Sequence, residues 1–106
     1  MINISIVQFC PKLFEKNSNI SKMEQIIGND DSDLILFPEL STSGYFFFNR
    51  QEVEENSDEF NGITIKRFQE LATKLNKIIV FGFAEKFRTE LFNSAAILFP
   101  EEKYSA

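Results

Sequence analysis

The run Leu34-Ile35-Leu36-Phe37, held between Asp33 and Pro38, constrains this chain more than any other segment. It is too short for a helix and offers no polar residue to face water on either side. A strand that is apolar on both faces belongs in a sheet covered above and below, the pattern of parallel strands in α/β proteins. Pro38 lacks a ladder donor and ends the strand.

The remaining segments fit around that strand. Ile2 to Phe9 is apolar and β-branched and reads as a first strand, stopped by Pro11. Between Asn17 and Ile27, the residues Ile20, Met23, Ile26 and Ile27 share one helical face. Asn17 or Ser18 is the expected cap there, and Gly28-Asn29 the stop. Asp30, Asp31 and Ser32 read as a solvated turn. Residues 38–62 are loop-like, and Glu52, Glu54, Glu55, Asp58 and Glu59 form a solvated loop face within them. Phe68, Leu71, Ala72 and Leu75 predict a helix over 63–75, capped by Asn61 and stopped by Asn76. Residues 78–84 and 91–99 read as two more strands, joined by the polar connection 85–90. The first three strands should be parallel, linked through helices, and the last two antiparallel.

Composition narrows the function. With 106 residues the chain makes one domain with a thin core. Its 13 phenylalanines demand more facing surface than so short a chain readily supplies. There is no histidine, which removes a Ser-His-Asp triad, a Cys-His dyad and most zinc sites. The net charge of −5 and the lack of a basic cluster argue against nucleic acid. No apolar run could cross a membrane, and Met1-Ile2-Asn3-Ile4 has no basic stretch of a signal peptide. A single cysteine agrees with a reducing compartment, so the expected location is cytoplasmic. Asp30, Asp31 and Asp33 lack a calcium-loop spacing, and neither a metal nor a cofactor is expected.

Glu39 is the candidate for chemistry. In open α/β sheets ligands bind beyond the carboxyl ends of the strands, and Glu39 follows the second strand directly. A carboxylate at that mouth can lose contact with water and serve as a general base. Gly44 permits positive φ, so the chain could fold back and bring Tyr45 to Glu39 or to a ligand. Read from the residues alone, a solvated glutamate at an ordinary strand exit is the plainer account, since most loop carboxylates are exposed.

The stretch Asp33-Leu34-Ile35-Leu36-Phe37-Pro38-Glu39-Leu40-Ser41-Thr42-Ser43-Gly44-Tyr45 resembles the glutamate motif of the carbon–nitrogen hydrolase superfamily of nitrilases and amidases. Val7-Gln8-Phe9-Cys10-Pro11 is similar to the family's first strand, and Ile79 to Lys86 to its third. Phe92-Asn93-Ser94-Ala95-Ala96 is similar to the next, with Phe92 where tyrosine is common. Four such pieces in order cover nearly the whole chain.

The resemblance implies an α/β fold, part of an α-β-β-α sandwich: one mixed sheet with helices on one face, the other half of the domain missing. Residues 1–106 would be the N-terminal part of that domain. It implies a Glu-Lys-Cys site with Glu39 as the glutamate and Tyr45 beside the substrate. A cysteine thiolate attacks the carbonyl or nitrile carbon, the glutamate takes its proton, and a lysine stabilises the tetrahedral intermediate. The family's lysine and cysteine motifs have no counterpart in residues 1–106. The expected substrate is a small amide or carbamoyl compound rather than a nitrile, and the expected partners are copies of the chain or the missing half of the domain. The rival readings are a non-catalytic subunit completed by a partner chain and a small α/β binding domain.

Cys10 is not in the family's nucleophile position and reads as a small buried hydrophobe. Lys86 reads as a hairpin-turn charge, and Gly82 as a lone strand glycine without a phosphate loop. Phe46, Phe47 and Phe48 could face a substrate or pack against the missing half. One face of the sheet should stand uncovered, with large side chains drawn from Phe9, Phe37, Phe81, Phe83, Ile97 and Phe99.

Overall fold

In the computed structural model, which describes residues 1–44 and 49–101, the apolar runs pair into one mixed four-stranded sheet of order β1-β2-β3-β4. The strands are β1 (Ile4–Ile6), β2 (Leu34–Leu36), β3 (Ile78–Phe87) and β4 (Glu90–Leu98). Helix α1 (Lys16–Asn29) connects β1 to β2, while α2 (Arg50–Glu55) and α3 (Ile63–Leu75) lie between β2 and β3. β1, β2 and β3 are parallel, in the register Ile4↔Leu34↔Ile78, and β3 and β4 form an antiparallel hairpin. The first strand is shorter than its apolar run, because beyond Ile6 only the Val7 amide still reaches β2, at Leu36.

α1 and α3 cover one face. Ile20, Met23 and Ile27 of α1 and Ile65, Phe68 and Ala72 of α3 pack on Ile35, Phe37, Ile79, Phe81, Phe83, Ala96 and Leu98. The Phe68 and Phe81 rings meet at 4.7 Å, and Phe9 stands edge-on to Phe37 at 5.8 Å. Among the described residues the other face is left open. Ile4, Ile6 and Ile97 are 59%, 75% and 57% exposed, beside half-buried Leu34, Leu36, Ile78 and Val80.

That distribution corrects the expected membership of the open face. Phe37, Phe81 and Phe83 are buried under the helices, Phe9 is half-buried against the same core, and only Ile97 and Phe99 of the six are exposed. Both parities of β2 and β3 are apolar, so the sequence held no sign of which parity the helices take.

Several helix boundaries also differ. α1 begins at Lys16 with no side-chain cap, and Gly28 lies inside it. Asn19 is buried in α1, and its side chain bonds Lys12 and the Thr42 carbonyl. α3 spans the predicted residues but starts from Gly62 rather than Asn61, while Asn76 closes it in the left-handed region at φ 51°. Within the expected loop, Asn49 accepts a hydrogen bond from the Glu52 amide and caps α2, so part of the acidic stretch is helical. Lys86 lies in β3 opposite Leu91, and the hairpin turns after it, with Arg88 at φ 58°.

The Asp30–Ser32 turn is not simply solvated. Lys77, just before β3, is buried and donates to the Asp30 carboxylate at 2.5 Å and to the Asp30 carbonyl at 2.6 Å. Ser5 of β1 donates to the same carboxylate at 2.5 Å, and the Ser32 hydroxyl and amide also donate to it. One carboxylate thus ties together the amino-terminal side of β1, β2 and β3. Burial alone pushes the Asp30 carboxyl up, but the bonds from Lys77, Ser32 and Ser5 outweigh it and hold the group well below the usual carboxylate range.

A lowered folded-state pKa contributes stability above the unfolded value of 3.8 and loses it as pH falls below that value. Urea titrations should therefore show the chain weakening below about pH 4, with a smaller drop in Asp30→Asn. Lys77→Met leaves the carboxylate unpaired and should destabilise by about 3–5 kcal/mol at neutral pH. A Lys77→Met chain as stable as the parent would show that the pair is dispensable.

Candidate functional site

The site is assembled on the edge of β3 that faces β2. β2 ends at Leu36, and its neighbour continues for seven residues past the last paired position, Val80. The chain leaving β2 fills that edge. The Phe37 amide donates to Val80, the Gly82 amide donates to Pro38, and the Ser41 amide donates to Gly82, at 2.8, 3.2 and 2.9 Å. Farther along, the Asp58 amide donates to Ala84 and the Lys86 amide to Asp58. Pro38, which has no amide to donate, contributes only its carbonyl to this ladder, and the Ser41 hydroxyl closes on the same oxygen at 2.5 Å.

Glu39 lies at the centre of this stretch, directly over Gly82. A Cβ on Gly82 would sit 2.3 Å from the Glu39 Cα and 2.8 Å from the Leu40 nitrogen. No side chain fits there, so glycine in the strand marks a close backbone approach. Beyond Glu39 a tight turn follows. Leu40 takes φ 49°, the Ser43 and Gly44 amides both donate to its carbonyl, and Gly44 takes the positive φ expected of it at 90°. Ser41, Thr42 and Ser43 are fully buried in the turn, which makes it a rigid support for the glutamate.

The Glu39 side chain is directed toward β4, where the Asn93 amide donates to its Oε2 at 3.0 Å. A shallow recess of about 250 Å³ opens beside it, lined by Leu36, Phe37, Val80 and Phe81 together with Gly82, Asn93, Ser94 and Ala95. Among the described residues, Glu39 is the one ionisable group that lines it. The carboxylate itself is exposed, so the expected loss of water at the strand mouth does not occur here. An oriented carboxylate in an apolar recess can accept a proton from a group brought up to it.

Of the other candidates, Tyr45 and Phe46 to Phe48 lie outside the described residues. Cys10 is exposed, not buried as expected. It lines a separate cleft of about 460 Å³ with Lys12, Asn19 and Ile26, away from the residues around Glu39. Lys86 is exposed on β3 and does not line the Glu39 recess. No cluster of three His, Cys, Asp or Glu able to hold a metal occurs among the described residues. Nor is any helix among them long and apolar enough to cross a membrane. Reading the sequence alone missed Gly82 and Asn93 as parts of the site. The close approach of Gly82 has no local signature, whereas a lone amide between Phe92 and Ala95 on an apolar strand was a visible anomaly.

Comparison with known proteins places this geometry in a family. The family model for carbon–nitrogen hydrolases matches residues 3–106. A nitrilase of Pyrococcus abyssi is 34% identical over 104 residues, covering 94% of this chain and 40% of the relative. The protein N-terminal amidase of Schizosaccharomyces pombe is 28% identical, over 92% of this chain and 38% of its own length. A crystal structure of an N-terminal amidase superposes with a TM-score of 0.81 at 21% identity, over 93% of this chain and 25% of that one. A carbon–nitrogen hydrolase superfamily protein from Xanthomonas campestris gives 0.80 at 21% identity, over 93% and 37%. The chain therefore spans two-fifths or less of these proteins. Both the mixed sheet with its helices and the sequence from β1 to β4 are theirs, and the chain belongs to the carbon–nitrogen hydrolase family.

Proposed function

We propose that residues 1–106 are the N-terminal part of a hydrolase domain that cleaves non-peptide carbon–nitrogen bonds, with Glu39 as its general base. The observation that carries this reading is the seat of Glu39. Its backbone is pinned to β3 over a glycine, its carboxylate is oriented by Asn93, and among the described residues no other ionisable group lines the recess. In the family's Glu-Lys-Cys chemistry, a base of this kind takes the thiol proton as the sulfur attacks the carbonyl carbon. A lysine meets the charge that develops on oxygen, the C–N bond breaks as the glutamate returns the proton to the departing amine, and water then hydrolyses the thioester. This chain contributes the base alone. Cys10 opens into a different cleft, and Lys86 is outside the recess.

Relatives named as amidases and relatives named as nitrilases both match the chain. The preference for an amide or carbamoyl substrate rests on the segment from Pro38 to Tyr45, which we read as resembling the amidase and carbamoylase branches. Tyr45 is proposed to contact that substrate. A cytoplasmic location is proposed on the same footing as before, from the single cysteine and the acidic charge.

The open face of the sheet is proposed as the surface that the second sheet of the sandwich, or another copy of the chain, covers. A contiguous apolar surface around Ile4, Ile6 and Ile97 is unfavourable in water.

The purified chain should hydrolyse no amide, carbamoyl amine or nitrile, because a lone carboxylate forms no acyl-enzyme. Joining it to the remainder of the Pyrococcus abyssi nitrilase should restore turnover. In that fusion Glu39→Gln should lower kcat by about 10²- to 10⁴-fold with an unchanged circular dichroism spectrum. Turnover by the chain alone that disappears in Glu39→Gln, or a fusion that keeps most of its kcat without Glu39, would overturn the reading. Light scattering of the chain alone should show mass rising with concentration, and Ile6→Lys with Ile97→Lys should suppress the rise. A parent chain that stays monomeric throughout would remove the open face as an association surface.

A further inference from the structure

We infer that Asn93 is the positioning residue for the Glu39 carboxylate, holding Oε2 so that Oε1 is the oxygen presented for proton transfer. This deepens the reading of Glu39 as general base and rests on it. The first support is the bond itself. An ionised carboxylate only accepts, so the group 3.0 Å from Oε2 must be the Asn93 nitrogen and not its oxygen.

The second support is where Asn93 stands. On β4 it pairs with Ala84 and points to the open face, which it shares with Ala95 and Ile97. An amide among such neighbours has no packing role that an apolar residue would not fill better. The adjacent Ser94 points the other way, and its hydroxyl donates to Glu85 at 2.7 Å. Among the described residues, Asn93 is therefore the side chain that holds Glu39.

The third support is chemical. Lys or Arg at this position would also orient the carboxylate, but a full positive charge beside it would weaken it as a proton acceptor. A neutral amide donor orients without neutralising. Glutamate has several rotatable bonds and, being exposed here, would otherwise sample many rotamers. Gly82 lowers the Glu39 backbone onto β3, and Asn93 then selects one rotamer from that fixed origin.

Solution NMR of the labelled chain tests this without requiring activity. In the parent, three-bond couplings should report a single Glu39 side-chain rotamer, and the Asn93 side-chain amide signals should move as the Glu39 carboxylate is protonated. Those signals should stay still in Glu39→Gln, because Glu39 is the one ionisable group lining the recess among the described residues. In Asn93→Ala the Glu39 couplings should become rotamer-averaged while backbone shifts away from residues 39, 82 and 93 are unchanged. Asn93→Ser, which keeps a donor, should recover part of the single-rotamer pattern. A merely structural Asn93 would disturb β4 and leave the Glu39 couplings as they were. Unaltered couplings in Asn93→Ala, or an Asn93 amide indifferent to pH in the parent, would overturn the inference. If Asn93→Ala does not fold, the parent titration against Glu39→Gln decides alone. Should the NMR results hold while a Glu39→Gln fusion stays active, the contact stands and the general-base reading is what fails.

Discussion

The hydrogen-bonding needs of β3 organise this chain. It runs for 10 residues, and the strand on its parallel side has 3. A buried strand cannot leave its amides and carbonyls without partners, because each unpaired group costs about as much as a lost hydrogen bond. The segments that follow β2 therefore serve as its ladder, through Phe37, Pro38, Ser41 and finally Asp58. Residues 38–41 are irregular in shape but fixed as firmly as a strand. That is how a loop glutamate acquires a defined position: the backbone satisfying β3 is the backbone carrying Glu39. Gly82 is the steric condition for this arrangement, since any side chain there would occupy the space of the Glu39 Cα.

The opposite end of the sheet is held by different physics. Lys77 and Asp30 pair beneath the start of the strands, with Ser5 and Ser32 adding donors to the same carboxylate. A buried ion pair is a poor source of net stability, yet breaking it exposes each partner to the full penalty of an uncompensated buried charge. The pair joins β1, the turn before β2 and the residue before β3 at a common point, at the end of the sheet where Ile4, Leu34 and Ile78 stand in register. The candidate site then lies beyond the other ends of these strands, where function asks for a gap in the packing.

What could be read from the sequence divides along the same line. Local signals were legible: the bounds of α3, its left-handed stop at Asn76, the antiparallel hairpin, and the strand after which Glu39 stands. So was the family, because four separate segments matched in order. Long-range contacts were not. Nothing near Gly82 announces Glu39, which is 43 positions away, and nothing in Asp30-Asp31-Ser32 announces Lys77. α2 was missed because its acidic residues suit a solvated loop as well as a short helix; only the Asn49 cap separates the two, and asparagine is equally at home in turns. Cys10 was misplaced because a small apolar residue at a strand end has no periodic partner to say which way it faces. The phenylalanines were read correctly as more than one layer could hold, but their parity was invisible where both parities are apolar.

That two-sided apolarity bears on the chemistry of Glu39. The carboxylate stands at the rim of the uncovered face and is exposed to water. Cover over Ile4, Ile6, Val80 and Ile97 would reach the recess beside Glu39, because Val80 lines both the face and the recess. Water would then be replaced around the carboxylate by apolar side chains and one amide. A charge so desolvated seeks a proton, provided that it is not neutralised by a cation of its own. Asn93 satisfies that condition, and a lysine in its place would not. On the proposed reading, the surface that makes this chain awkward in water is the same surface whose covering turns Glu39 from an ordinary exposed carboxylate into a base. The hydrophobic layer and the catalytic group are then two parts of one device, and the sequence had to supply both on adjacent strands.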